Sequence, residues 1–256
     1  MSATEQFKTA YNASAATYND YGSTPIGQLE SQLIKIALGD CSGLTVLDLG
    51  GGTGLHAREA VELGALSVDV IDVSLEMLNV AQVLGQGPAH VEKLRYFEAD
   101  VSKPLEHLSL RQEKYDVVMA NWIFGCAPTL DVLEGMFANI AKYLKPGGKF
   151  VGVRDANVEE LQAAFPKYGV SARNIEAIPG GIKYLVSIHT TPTTQFEASS
   201  MNITRSGSTA MYEQYGLRNV RVVPCEQAEV VKEEPDFWKD FLASPNLAVV
   251  QAVNSS

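Results

Sequence analysis

Asp48-Leu49-Gly50-Gly51-Gly52-Thr53-Gly54 follows a short apolar run at 44–47 and leads directly into a helix-like stretch at 55–63. Strand, glycine turn and helix start therefore come in sequence. Gly50, Gly52 and Gly54 stand at alternate positions, where a Cβ would block the approach of a ligand to the backbone or forbid the torsions the turn needs. A dinucleotide-binding turn would read G-x-G-x-x-G from Gly50, but position 55 is Leu55 and the third glycine comes one residue early. The pattern is D-x-G-x-G-x-G, and its spacing argues against a nicotinamide cofactor.

The segments that follow put matching chemistry at the edge of a sheet. A β-branched run at 68–71 ends in Asp72, a carboxylate at the carboxyl end of a second strand, where open α/β sheets bind ligands. There it can accept from both ribose hydroxyls and would repel a 2′-phosphate. After Val73, Ser74 can cap the next helix, and Met77 lies either against an adenine face or in the helix core. Residues 95–101 read as a third strand closing on Asp100 and Val101, and 115–122 as a fourth, buried strand emerging at Asn121 and Trp122. Leu144-Lys145-Pro146-Gly147-Gly148 stops a helix and starts a fifth strand running to Val153.

Taken in order over residues 44 to 154, these motifs resemble those of the class I S-adenosylmethionine (AdoMet) dependent methyltransferases. The resemblance implies an α/β fold, a doubly wound seven-stranded Rossmann-like sheet in the order 3-2-1-4-5-7-6. It also implies AdoMet as cofactor, with S-adenosylhomocysteine as its product. In that family the turn from Asp48 through Gly50, Gly52 and Gly54 wraps the methionine part. Asp72, with Val73 beside it, corresponds to the ribose-binding acid, and Asp100 accepts from the adenine amino group. The Val101 amide and Met77 meet the ring, and the exit at Asn121 and Trp122 faces the transferable methyl.

The 256 residues suit one domain, with the cofactor-binding core at 44–154. An N-terminal lid with helices is expected at 1–40, a substrate cap inserted after strand 5 at 155–205, and a closing helix and strands at 206–253. A formal charge of −10 and a pI near 4.9 argue against nucleic acid as partner, since phosphates are neutralised by Lys and Arg. With no 18-residue apolar stretch and no hydrophobic signal core at the N-terminus, a membrane span and secretion are unsupported, and a cytoplasmic protein, monomer or homodimer, is expected. Cys41, Cys126 and Cys225 are scattered, so no disulfide framework and no metal site is indicated.

Tyr11-Asn12-Ala13-Ser14-Ala15-Ala16-Thr17-Tyr18-Asn19-Asp20-Tyr21 resembles the N-terminal segment of small-molecule methyltransferases similar to those of ubiquinone and menaquinone biosynthesis. That likeness implies a lid with Tyr18 near the methionine carboxylate; Tyr18 as a plain surface-to-core anchor is the alternative. An amphipathic run at 26–38 reads as a helix against the sheet. Beyond Val153 about 50 residues intervene before a helix expected at 206–215. Within them 158–165 looks helical, while 182–189 and 196–203 look like a hairpin joined around Thr191-Pro192. Strands at 217–223 and 247–253 complete the sheet.

Methyl transfer needs a nucleophile held against the methyl in a dry site, and orientation supplies roughly 7 to 11 kcal/mol in favourable cases. A general base is optional. His189 and Glu197 in the inserted segment are the catalytic candidates, with Asn121, Trp122 and Arg154 at the strand exits, although the strand alternation also allows His189 a solvent-facing place. His56 reads as a surface or cofactor-neighbouring residue. Trp122, Phe124 and the apolar insert favour a small aromatic or hydrophobic acceptor taking the methyl on N, O or S, as in enzymes that tailor secondary metabolites. Two alternatives stay open: a non-catalytic AdoMet-binding or partner-binding module, and a peptide or protein methyltransferase whose acidic surface draws basic substrates.

Overall fold

Thr45–Leu49 buries all five of its side chains, and Ser67–Asp72 all six. Strands covered on both faces belong at the centre of a parallel sheet, and there β1 (Thr45–Leu49) and β2 (Ser67–Asp72) lie side by side. The computed structural model describes residues 3–158 and 166–255. With β3 (Leu94–Glu98), β4 (Tyr115–Asn121), β5 (Leu144–Asp155) and two late strands, Leu217–Val222 and Leu247–Asn254, they form one seven-stranded sheet. Its spatial order is 3-2-1-4-5-7-6 when the late strands are counted sixth and seventh, and Leu247–Asn254 runs antiparallel to both neighbours. This is the order expected above.

Helices α1 (Ala3–Tyr18), α2 (Pro25–Leu38), α3 (Leu55–Glu62), α4 (Leu75–Leu84) and α5 (Leu130–Tyr143) connect or cover these strands. Thr24 caps α2 by accepting from Gly27 N–H at 3.1 Å, with Pro25 at its first turn. Ser74 caps α4 by accepting from Met77 N–H at 3.1 Å, as its position predicted. The amphipathic face of α2 buries Leu29, Leu33, Ile34 and Ala37 against one side of the sheet, and Leu133, Phe137 and Ile140 of α5 fill the other.

The insert after β5 is a separate antiparallel sheet of three strands, Val170–Ile178, Gly181–Ile188 and Thr194–Met201, here β6, β7 and β8. The sequence pattern pointed to β7 and β8 only. Alternation in β6 is broken by a bulge between Arg173 and Glu176 with Asn174 at φ 56°, and such a bulge disguises the period of two. The helix expected at 206–215 shrinks to Ala210–Gln214, because Gly207 turns left-handed at φ 78° between two serines. The helix expected at 158–165 lies, beyond Val158, outside the described residues. The segment before the last strand folds into Glu229–Glu233 and Pro235–Ala243, and Trp238 and Phe241 of the latter pack on Tyr168. Among the described residues no helix is long and apolar enough to cross a membrane.

Candidate functional site

At the carboxyl ends of β1, β2 and β4 the chain encloses a cleft of about 1120 Å³, its open mouth included. Gly50, Gly52 and Gly54 all take positive φ, 71°, 53° and 71°. At Gly50 a Cβ would also fall 2.2 Å from Ile123 Cγ2, while at Gly52 nothing lies within 4 Å, so that backbone stands open to the cleft. Gly51, unremarked in the sequence reading, is needed as well: its Cβ would meet Asp48 Oδ2 at 2.6 Å and Val70 Cγ1 at 2.5 Å. Gly54 is a correction. It stands off the cleft wall, initiating α3 and packing near Ala81 of α4, so its glycine serves the turn and helix packing.

Asp72 is buried and held by backbone donors, among them Gly52 N–H to Oδ2 at 2.9 Å and Ser74 N–H to Oδ1 at 2.8 Å. Burial raises its pKa, against these bonds. A carboxylate has about four acceptor positions, so lone pairs remain for a ligand. Asp48 is 1% exposed, and neither of its oxygens has a hydrogen-bond partner. Burial, helped by Asp72 and opposed by His56, pushes its pKa up to about 6. An orphaned buried acid of this kind calls for a donor or cation. Asn121, on the same wall, likewise leaves both side-chain polar atoms unpartnered. Tyr18, Val73, Met77, Asp100, Val101 and Trp122 complete the set of sequence-predicted residues brought to this cleft. Asp100 accepts from Ser102 N–H and Oγ, which tethers the loop after β3.

On this wall too lies a polar cluster that the sequence did not disclose. Glu30 of α2 is 1% exposed; its Oε2 accepts from Trp122 Nε1 at 2.6 Å and from the Tyr21 hydroxyl, and its Oε1 lies 3.3 Å from His56 Nε2. His56 Nδ1 is 2.8 Å from Glu59 Oε2. Burial opposes charge on this imidazole, but hydrogen bonds and the charges of Glu30 and Glu59 push its pKa up to about 10, so both ring nitrogens donate. Trp122 sits at φ 63°, a strained place for a bulky residue. Its bonds to Glu30 and, through N–H, to the Val153 carbonyl at 3.0 Å hold it there. A lone Glu on the apolar face of a helix was the available signal for Glu30.

A second cleft, of about 610 Å³, lies on the other side of Tyr11, Tyr18, Tyr21 and Trp122, which line both. The cap sheet supplies Tyr184, Val186, Ile188, Phe196 and Ala198, and the end of β5 supplies Asp155. Helix α1 and the cap close on each other: the Tyr11 and Tyr18 rings lie 5.4 and 6.2 Å from Phe196, and Thr17 Oγ1 is 2.7 Å from Thr194 Oγ1. Among the described residues no Lys or Arg lines either cleft.

The catalytic candidates from the sequence are not among these residues. His189, just past the end of β7, is exposed and paired through Nε2 with Ser171 Oγ at 2.8 Å; Glu197, opposite Leu185, is exposed on the outer face of β8. Both fall on the solvent side because their parity is opposite to that of the inward-facing residues of their strands. Arg154 also misses both clefts: it points to the other face of the sheet from Asp155, with Nη1 donating to the Asp155 carbonyl at 2.7 Å.

Compared with known proteins, residues 46–148 match a family described as a methyltransferase domain. A stretch of 144 residues is 30% identical to squalestatin tetraketide synthase clz2 of Cochliobolus lunatus, covering 52% of this chain but only 5% of that synthase. An S-adenosylmethionine dependent methyltransferase from Mesorhizobium loti superposes with a TM-score of 0.59 at 20% identity, over 90% of this chain and 99% of that one. The CcbJ methyltransferase from Streptomyces caelestis does so with a TM-score of 0.61 at 18% identity, over 98% of each. At these identities the two structures establish the fold.

Proposed function

We propose that this chain, whose residues 46–148 match a methyltransferase domain, uses AdoMet to methylate a small aromatic or otherwise hydrophobic acceptor bound in the second cleft. The observation that carries this reading is the common wall. Tyr11, Tyr18, Tyr21 and Trp122 border both the cleft with the glycine turn and the apolar cleft under the cap. A cofactor in one and an acceptor in the other would meet across those rings. When bound, AdoMet supplies an electrophilic methyl group on a sulfonium.

In the first cleft the residues present suit the cofactor's parts. Asp72, fixed by Gly52 and Ser74, offers its free lone pairs to the ribose hydroxyls. Asp48, buried without a donor, suits the ammonium of the methionine part, and Met77 and Val101 give the adenine apolar faces. Helix α1 and the cap exclude water, which favours a reaction that disperses charge. The aromatic lining of the second cleft selects by shape and face contact.

Calorimetric titration of AdoMet, S-adenosylhomocysteine and NADH tests the first half of the proposal. The two adenosyl ligands should bind in the micromolar range and NADH should not. Asp72→Ala should weaken the adenosyl ligands by about 1.5 to 3 kcal/mol, the range for a hydrogen bond to a charged group; unchanged affinity would move the ribose elsewhere. For the second half, AdoMet turnover should be found with small aromatic amines, phenols or thiols. Turnover with Lys-rich peptides alone would replace the small-molecule reading.

A further inference from the structure

Among the described residues the second cleft is lined by one buried carboxylate, Asp155, and one buried amide, Asn246, in an otherwise aromatic and aliphatic wall. Asp155, 6% exposed at the end of β5, accepts from the Tyr184 hydroxyl at 2.8 Å through Oδ2 and is also bonded by the Ser200 side chain. These two donors leave acceptor positions on the carboxylate unused. Around it stand the faces and edges of Tyr18, Tyr21, Trp122, Tyr184 and Phe196. No Lys or Arg shares the lining among the described residues.

Three acceptor charge types meet this wall differently. An anion would be brought beside a carboxylate in a cleft whose described lining holds no Lys or Arg, and burying an unpaired charge is costly. A neutral ring would find face contacts and neutral or singly charge-assisted hydrogen bonds to Asp155 or the Asn246 amide. An ammonium would find a carboxylate and several aromatic faces, the pairing that holds cations in desolvated sites. We propose that Asp155 is an acceptor-positioning residue that makes the second cleft selective for a basic aromatic amine, whose nitrogen donates to the carboxylate.

The inference rests on the assignment of this cleft to the methyl acceptor. Burial also raises the Asp155 pKa to about 6, against the bonds from Tyr184 and Ser200 and the charges of Arg154 and Arg205. Asp155 is thus ionised at neutral pH and yet a better proton acceptor than an exposed aspartate. An ammonium must lose one proton before its lone pair is free. The N–H bond breaks, its electron pair stays on nitrogen, and the proton goes to an Asp155 oxygen and from there to solvent after the product leaves.

Three indoles of one shape separate the possibilities: tryptamine, tryptophol and indole-3-propionate, each titrated into the full chain saturated with S-adenosylhomocysteine. Wild type should bind tryptamine about tenfold or more tighter than tryptophol, the difference between a charge-assisted and a neutral hydrogen bond, and indole-3-propionate weakest. Asp155→Asn, which keeps a polar side chain of the same shape beside Tyr184 and Ser200, should bring tryptamine and tryptophol within about threefold, with S-adenosylhomocysteine affinity unchanged. Tyr184→Phe, which keeps the carboxylate, should retain the preference for the amine. Equal binding of tryptamine and tryptophol by wild type, or loss of preference in Tyr184→Phe as complete as in Asp155→Asn, overturns the role of Asp155 and leaves the small-acceptor reading in place. Failure of all three indoles to bind while S-adenosylhomocysteine binds overturns both.

Discussion

The first cleft takes most of its wall from short, consecutive pieces of chain at the ends of four neighbouring strands: 48–56, 72–77, 100–101 and 121–123. The second gathers Tyr11 and Tyr18 from α1, Ile26 from α2, Asp155 from β5, Tyr184 and Phe196 from the cap, and Asn246 from the loop before the last strand. One is made of backbone features and carboxylates whose places follow from the strands that carry them. The other is made of side-chain surface, assembled only when distant segments pack. A cleft of the first kind tolerates little change in residue type, whereas one of the second kind can be reshaped by exchanging apolar side chains. On the assignment proposed above, acceptor specificity can therefore vary over a constant first cleft.

Glu30 is where the two constructions meet, since it orders Trp122 and Tyr21 on the common wall and flanks His56 on the wall of the first cleft. Glu30→Ala leaves buried donors and an imidazolium short of an acceptor. It should lower stability by about 3 to 5 kcal/mol, or roughly ten degrees in Tm for a chain of this size. Glu30→Gln, which retains one acceptor oxygen, should lose less. Acceptor affinity should fall along with cofactor affinity; a variant with undiminished Tm and only one binding step impaired would mean that the clefts are structurally independent.

A smaller effect should separate the clefts by pH. With its pKa near 6, Asp48 is largely ionised at pH 7 and protonated at pH 5. Because this pKa is raised above the usual carboxylate value, the native state without ligand holds the proton more tightly than the unfolded chain. Asp48's contribution to stability is therefore present below about pH 4 and is lost as pH rises through about 6. Ligand binding runs the other way, because the ammonium is met by the ionised form. S-adenosylhomocysteine affinity should fall as pH drops from 7 to 5, approaching tenfold per unit below the pKa, and Asp48→Asn should flatten the profile. A flat profile in wild type would take Asp48 out of ligand contact.

The smallest effect is expected outside both clefts. His189→Ala and Glu197→Ala should change stability by no more than about 0.5 kcal/mol, as exposed substitutions do, and leave turnover with any accepted substrate within about twofold. A hundredfold loss in either would require the cap to move so that its outer face reaches the acceptor, and would undo the division between the two clefts drawn above.

Much of the core was legible because its signals are local. The glycine torsions of 50–54, the acids closing β2 and β3, the Ser74 cap and the buried runs of β1, β2 and β4 each follow from a few adjacent residues. Even the antiparallel closing pair could be placed, by spacing together with the family resemblance. The cap was half legible: β7 and β8 alternate cleanly, while the bulge at Asn174 hid β6. Arg154 and Asp155 show the limit of such reading. Both stand at a strand exit, and the pleat sends one into the second cleft and the other to the opposite face.

By itself, then, the sequence determined the sheet, its ligand-binding edge and the glycine-and-aspartate cradle, because torsional permission and strand-end carboxylates are properties of neighbouring residues. Tertiary structure alone decided that Glu30 would bind Trp122 and Tyr21 and stand beside His56, that α1 would close on the cap, and that Asp155 rather than His189 or Glu197 would face the second cleft. Those are contacts between residues from 9 to more than a hundred and eighty positions apart. Burial and hydrogen-bond satisfaction of whole segments select them, and no local pattern encodes which partners will meet.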